Sequence, residues 1–323
     1  MSQTLVAVLR GGPSSEYEVS LKSGAQVLQH LPEHYDRRDV FISKDGQWHL
    51  GGVAVTPHKA LYGAHVAFNA MHGEYGEDGK VQKILEQLDI PYTGSDTIAS
   101  AVAINKHVSK DRYRSAGLRT PRHMLLKFSD DFDKEAREIF FNFHMPVVIK
   151  PVSMGSSVGI RVAMRLDQIV PALEEIARLS SQIMVEEFID GREATCGVVE
   201  NFRGESHYTP LPVEIIFPKH KDHFDYESKY STTDGALEIC PPSFGEEIKR
   251  EISRMAQEAH KILGLRHYSR SDFRINRAGK VYILETNTLP GLTSESLLPK
   301  SLAAVGCTFP QFLDHLVTLA LAR

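Results

Sequence analysis

The stretch Ser269-Arg-Ser-Asp-Phe-Arg-Ile-Asn-Arg-Ala-Gly-Lys-Val-Tyr-Ile-Leu-Glu-Thr-Asn287 constrains this chain more than any other. Residues 269–276 and 280–287 flank a short turn centred near Ala278 and Gly279, the pattern of a β-hairpin. Regular pairing about that centre sets Asp272 opposite Glu285 and Arg270 opposite Asn287, and period-two alternation turns all four onto one face. Two carboxylates, an amide and a guanidinium then share a patch. Such hard oxygen donors suit Mg²⁺, which is commonly held by one or two carboxylates and completed by water and substrate phosphates. This points to phosphoryl chemistry. A surface hairpin with ordinary cross-strand ion pairs is the plainer alternative; four polar groups beside the apolar pair Ile283 and Leu284 weigh against it.

A second feature supplies the complement. Pro146-Val-Val-Ile-Lys-Pro151 reads as a strand, and its lysine precedes the small-residue loop Ser153-Met-Gly-Ser-Ser-Val-Gly-Ile160. Backbone N–H groups in such a loop can approach an anion while Lys150 adds a point charge. It is not a Walker A loop, since no Gly-Lys-Ser/Thr closes it, and no Gly-x-Gly-x-x-Gly follows the first strand. Alone, a Gly/Ser loop is more often a hairpin turn; beside a Mg²⁺-like hairpin it becomes a phosphate-loop candidate.

The remaining elements place these motifs. Leu5 to Leu9, Asp39 to Ile42 and His65 to Ala70 read as strands, and Ser15 with Glu18 has capping-box spacing before a helix. A helix from about Lys80 to Leu88 and the segment Ile90 to Gly94 complete a small parallel α/β unit ending near Ser95. Residues 96–120 read as helical, ending at Gly117; Asp167 is a candidate cap for the next helix, and Gln182 to Ile189 is a strand. The polar, aromatic span 217–240 has the character of a lid. Ser243 and Glu246 offer a second capping box before an amphipathic helix ending at Gly264, and a final helix runs from about Thr308 to Leu321.

With 323 residues, 42% of them apolar and 24% charged, two or three domains are expected, and a net charge of −4 gives no reason to expect nucleic acid as a partner. Cys196, Cys240 and Cys307 are odd in number and unpaired in spacing, which fits a reducing compartment and argues against a zinc site. The N-terminal apolar run is far short of a signal-peptide core, and no later segment approaches a membrane span, so a cytosolic protein without membrane contact is expected.

Taken in order, several motifs resemble the D-alanine-D-alanine ligase family of the ATP-grasp superfamily, nearly end to end. They are Gly11-Gly-Pro-Ser-Ser-Glu-Tyr-Glu-Val-Ser20, Met71-His-Gly-Glu-Tyr-Gly-Glu-Asp-Gly79, Lys150-Pro-Val-Ser-Met-Gly-Ser-Ser-Val-Gly159, Asp225-Tyr-Glu-Ser-Lys-Tyr230 and Glu285-Thr-Asn-Thr-Leu-Pro-Gly291. The resemblance implies an α/β fold: a Rossmann-like parallel α/β substrate domain (1–98), then two α+β ATP-grasp lobes (99–187 and 188–323), the last carrying the metal and substrate sites. It further implies ligation of two D-alanines through a D-alanyl phosphate, at the expense of ATP, for peptidoglycan precursors. The cofactor set would be ATP and two Mg²⁺, with Mn²⁺ an acceptable substitute, and the assembly a cytoplasmic homodimer.

The same resemblance assigns roles. Lys106, Lys150, Ser157 and Lys229 would contact the nucleotide and its phosphates, Glu186, Glu187 and Ile189 would line the adenine strand, and Glu193 would bind ribose. Asp272, Glu285 and Asn287 would hold the metal ions, agreeing with the hairpin geometry. Glu16 would hold the first D-alanine ammonium, and Glu16, Ser156 and Tyr230 would form a hydrogen-bonded set joining lid to site. His72, Ser296 and Leu297 would contact substrate, with Ser296 on the second carboxylate; Arg270 and the Gly291 N–H would meet the developing oxyanion. A lid over 217–240 would protect the acylphosphate from water.

Each assignment has a plainer competitor. Glu16 could serve only the dipole of its helix, His72 could be a satisfied core histidine, and Tyr230 could be lid packing. His220 and His223 invite a metal reading, but in a lysine-rich loop a solvated one is preferred. Tyrosine at 230 accompanies an amine acceptor in the resemblance, which disfavours D-lactate as acceptor and leaves D-serine open. A non-catalytic nucleotide sensor is the alternative of another class; the intact set Arg270, Asp272, Glu285 and Asn287 argues against it.

Overall fold

In the computed structural model, residues 3–126, 131–155, 159–217, 236–293 and 295–322 are described. Three sheets organise the described residues. The first contains β1 (Thr4–Gly11), β2 (Tyr35–Ile42), β3 (Trp48–Leu50), β4 (Val53–Val55) and β5 (Val66–Asn69) in the order β4-β3-β2-β1-β5. Strand β1 runs parallel to β2 and β5, and its central residues are buried on both faces, as a parallel strand requires. Val6 and Val8 enter one core with α1 (Tyr17–His30), while Ala7 and Leu9 enter the other with α2 (Pro57–Leu61) and α3 (Lys80–Gln87). Each fully buried aliphatic chain contributes about 1.5–3 kcal/mol.

The core above Val6 and Val8 is closed by distant sequence. Phe312, Leu313, Leu316 and Val317 of α10 (Phe309–Leu321) pack there beside α9 (Leu297–Ala304). Tyr35 Oη donates to Asp314 Oδ1 at 2.8 Å across 279 residues of chain. A capping box starts α10, with Thr308 and Gln311 each accepting from the other's backbone N–H.

The second sheet, β6 (His123–Leu126), β9 (Ile183–Glu187), β7 (Val147–Pro151) and β8 (Arg161–Ala163), is antiparallel and covered by α6 (Phe132–Asn142) and α7 (Ile169–Ala177). The third holds β13 (Leu237–Ile239), β12 (Val213–Ile216), β10 (Gly191–Phe202), β14 (Tyr268–Asn276) and β15 (Val281–Asn287), with β11 (Glu205–Tyr208) hairpinned onto β10. Against it lie α8 (Glu246–Ile262), α4 (Thr97–Ile104) and α5 (Lys106–Ser115).

Several local expectations are corrected. The helical stretch 96–120 is two helices, broken at Asn105, whose side chain accepts from Val108 N (3.1 Å) and caps α5. Helix α1 is capped at Glu16 with no side-chain cap bond; the Ser15/Glu18 box does not form, and Ser14 Oγ accepts from Glu16 N instead. Ser243 gives its N–H and hydroxyl to Glu214 Oε2 (3.0 and 2.8 Å), so α8 begins beyond Gly245 without the expected box. Asp167 lies in a 3-10 turn (Leu166–Gln168), paired with Arg165, and does not cap α7. At Ser243 a buried carboxylate outcompetes local capping, because Glu214 takes both of the serine's donors. No single helix among the described residues is long and apolar enough to cross a membrane.

Candidate active site

The hairpin β14–β15 pairs Arg270 with Asn287 and Asp272 with Glu285, as the sequence predicts, but by a different route. The turn is centred on Ala278: Asn276 N donates to Lys280 O, and Asn276 Oδ1 accepts from Ala278 N and Lys280 N. From that turn, Phe273 pairs with Ile283. Continued regularly, Asp272 would face Leu284 and Glu285 would turn into the core. A register shift between Asp272 and Phe273 absorbs Leu284 as an extra residue, and two neighbours, Leu284 and Glu285, therefore both stay on the open face.

Asp272 is the hub of this face. Arg270 grips it with two bonds of 2.9 Å, Asn287 Nδ2 donates at 3.2 Å, and Thr195 Oγ1, directly across the sheet on β10, donates at 2.7 Å. Burial opposes the charge on Arg270, yet Asp272, Glu285 and Glu77 together raise its pKa above the ordinary value. Glu285 Oε2 lies 3.2 Å from Lys106 Nζ, which also donates to Met154 O (2.6 Å) and so ties the hairpin to the Gly/Ser loop. Two carboxylates and an amide on one rigid face form an oxygen donor set that fits a hard divalent cation.

Across the cleft, Glu186 of β9 bridges two ammonium groups, Lys150 of β7 (2.9 Å) and Lys110 of α5 (3.1 Å), all nearly water-free. Burial lowers the Lys110 pKa to about 8 against the pull of Glu186. Burial also resists ionisation of Glu186, but Lys110 and Lys150 hold its carboxyl below the usual range. Of the two lysines, Lys150 also lines the cleft, while Lys110 stays buried behind Glu186. Lys110 escaped the sequence reading; its signal was its place one helical turn after Lys106.

The cleft between the second and third sheets is walled by Val148, Ile160, Val162, Phe188, Ile189, Ile215 and Leu284, with Lys150, Glu186, Glu187, Glu193, Arg270, Asp272, Glu285 and Leu297 among its polar and rim residues. An apolar slot suits a planar base; the charged end suits phosphates. Glu187 is exposed at the end of β9, and Glu193 is ion-paired with Arg274, which also donates to Gly191 O (3.0 Å).

The third wall comes from the first sheet's loops. A Cβ added to Gly73 or Gly155 would stand 2.8 or 2.4 Å from Glu16 Oε2, so these glycines let the His-Gly segment and the Gly/Ser loop converge on that carboxylate without displacing it; Gly73 also needs φ +70°. His72 is buried with both ring nitrogens engaged, Nδ1 with Leu289 O (2.8 Å) and Nε2 with Ser23 Oγ (2.7 Å). Burial, opposed by Glu16, pushes it below the ordinary imidazole range. Glu77, also missed in the sequence, accepts from Gly73 N, Thr288 N, Thr288 Oγ1 and Leu289 N, and is pushed up to about 7 by burial and then by Glu16. These two side chains pin the segment after Asn287 to the first sheet's loops.

Ser296 stands at the start of α9 without a side-chain cap bond; its Oγ accepts from Thr293 N (3.0 Å) and lies 2.7 Å from where a Gly291 Cβ would be. The structure thus gathers Glu16, Lys106, Lys150, Glu186, Arg270, Asp272, Glu285 and Asn287 into one linked region. Ser156, Ser157, Lys229, Tyr230, His220 and His223 lie outside the described residues.

Comparison with known proteins agrees with this architecture. Residues 113–318 match the family model described as D-ala D-ala ligase C-terminus, and residues 5–62 and 52–95 match D-ala D-ala ligase N-terminus. The chain belongs to the D-alanine-D-alanine ligase family. It is 36% identical to a D-alanine-D-alanine ligase of Cupriavidus necator, covering 98% of this chain and 91% of that one. Identity to the Aquifex aeolicus ligase is 37%, covering 97% and 99%. Among solved structures, D-alanyl-alanine synthetase A of Vibrio cholerae aligns with TM-score 0.86 and 30% identity, covering 100% of both chains. The D-Ala:D-Ser ligase VanG of Enterococcus faecalis aligns with TM-score 0.86 and 27% identity, covering 99% of this chain and 100% of that one. The fold of these ligases is the ATP-grasp fold, and ligases of this family use ATP.

Proposed function

We propose that this chain joins two D-alanines into D-alanyl-D-alanine, converting ATP to ADP, as a step toward peptidoglycan precursors. The observation that carries the reading is the single charged face of Arg270, Asp272, Glu285 and Asn287 opposed across an apolar slot by Lys150, Lys110 and Glu186. Membership of the ligase family supports it.

In this reading the first D-alanine carboxylate attacks the γ-phosphorus, the bond to the β-phosphate oxygen breaks, and an acylphosphate forms. The amine of the second D-alanine then attacks the carbonyl and phosphate leaves. Both partners of the first step are anions, so positioning and charge neutralisation dominate. Two Mg²⁺, or Mn²⁺, held by Asp272, Glu285 and Asn287 would withdraw charge from the phosphate oxygens. Lys150 acts from the opposite wall, joined by Lys106 and, from the loops, Lys229 and Ser157. Glu186, Glu187 and Ile189 face the base, and Glu193 the ribose. Glu16 holds the first ammonium beside Gly73 and Gly155, with Ser156 and Tyr230 completing its hydrogen bonds, and His72 fixes the segment that carries Leu289. One edge of the Arg270 fork is spent on Asp272, so its other edge serves the oxyanion together with Gly291 N–H; Ser296 and Leu297 receive the second substrate.

Residues 1–98 in this scheme supply the substrate loops, and 99–187 and 188–323 the two grasping lobes of each chain of a cytoplasmic homodimer. The test is to incubate the purified chain with ATP, Mg²⁺ and D-alanine, with L-alanine, D-serine or D-lactate as alternative acceptors, and identify products by mass. D-Alanyl-D-alanine as the main product supports the reading; D-alanyl-D-serine in excess replaces the acceptor, and no ADP release with any acceptor overturns it. Asp272→Asn is expected to cut D-alanine-dependent ADP release by about 100-fold or more while the chain stays folded; unchanged turnover would refute the metal role.

A further inference from the structure

Further along β10 from Thr195, on the other side of the sheet's charged patch, a second donor cluster is built from three elements. Glu200 of β10 and His207 of β11 are direct cross-strand partners, and His260 comes from the last turn of α8. One donor atom of each lies within 4.8 Å of the other two. We propose that Glu200, His207 and His260 form a binding site for a nitrogen-preferring dication of the Zn²⁺, Co²⁺ and Ni²⁺ class.

His260 Nε2 is 3.5 Å from Glu200 Oε1. Two ligands of a tetrahedral ion at about 2.0–2.2 Å stand about 3.3–3.5 Å apart, so the pair already has the edge length of a coordination sphere. Each donor is also held from behind. Glu200 Oε2 accepts from His267 N (2.7 Å), His260 Nδ1 meets Ser269 Oγ (2.8 Å), and His207 Nδ1 meets Ser206 Oγ (3.1 Å). Such outer contacts hold the rings in place, and where the serine hydroxyl accepts from Nδ1–H the lone pair is left on Nε2. His260 is fully buried, and its Nε2 makes no hydrogen bond among the described residues. At 3.5 Å from Glu200 Oε1 this buried ring nitrogen has only a long, loose contact, which is unfavourable beside a full hydrogen bond. A cation between it and Glu200 Oε1 would satisfy both atoms, and the partly exposed His207 would leave the remaining position open to water.

Donor chemistry separates this cluster from the hairpin face. Two imidazoles and one carboxylate prefer late first-row ions, whereas Asp272, Glu285 and Asn287 offer oxygen only. The ion would tie the β10–β11 hairpin to α8.

The test uses the metal-stripped full chain in excess Mg²⁺. Co²⁺ titration should give the visible absorption of a four-coordinate ion at one equivalent, and Zn²⁺ should raise the thermal midpoint. His207→Ala should bind Co²⁺ at least about tenfold more weakly and lose the Zn²⁺ shift, with Mg²⁺-dependent ADP release unchanged. Glu200→Gln keeps the side-chain size and the bond from His267 N, and the same losses are expected should His207→Ala fold poorly. Absence of both signals in the wild-type chain would reduce the cluster to a loose imidazolium–carboxylate pair and overturn the proposal. Wild-type Co²⁺ spectra in both variants would overturn it too, placing the ion elsewhere, for example on His107, Asp111 and His123.

Discussion

Glu77 shows how one residue can hold a site together and burden it. Its carboxylate gathers three backbone N–H groups and a hydroxyl, yet it is buried near Glu16, so its proton is held up to about 7. A carboxyl whose folded pKa exceeds its unfolded value favours the fold in its protonated form. That contribution is fully present below about 4.5 and is lost as pH rises through about 7. Wild-type unfolding free energy should therefore fall over this window by on the order of 3 kcal/mol more than that of Glu77→Gln. Urea titrations of both proteins at pH 5 and 8 measure the difference; parallel pH profiles would contradict it. Neither Glu77 nor Lys110 was legible in the sequence, since both work through burial and through partners far along the chain. Asp272 and Glu285 were legible because a hairpin brings them together locally.

At the scale of elements, the bulge at Leu284 is the instructive case. Alternation and residue type were enough to pair the two acids, but the turn alone would have misaligned them, and only the backbone reveals the compensating residue. The bulge lets Leu284 wall the cleft without displacing Glu285 from the face it shares with Asp272 and Asn287. Leu284→Ala removes several buried carbons at about 0.8 kcal/mol each on nucleotide binding. The ATP KM should rise by up to roughly sixtyfold, the full worth of three carbons, with kcat nearly intact, read from ADP release against ATP concentration. A drop in kcat at unchanged KM would show that the residue acts on the Arg270–Asp272 face instead. Helix caps were less readable than strands: Ser and Glu three apart occur at Ser15 and Ser243 without forming boxes, because the second serine already serves Glu214. Strand β10 was missed because its middle is buried on both faces and shows no alternation.

For the whole molecule, the decisive feature is that α10 seals the sheet built from the first strands. Phe312→Ala opens a cavity in that shared core and should cost about 3–5 kcal/mol, seen as a lower urea midpoint with the loss of the Glu16 and His72 loops' order as well as of α10. A chain that loses only α10 signals while the first sheet stays protected from hydrogen exchange would argue against such coupling. During synthesis, Val6, Val8 and Phe68 leave the ribosome long before their lid is translated. A nascent chain must carry that oily flank in the open until its closing helix arrives, and a prematurely stopped product would display it permanently, marked for proteolysis or for clumping with its neighbours.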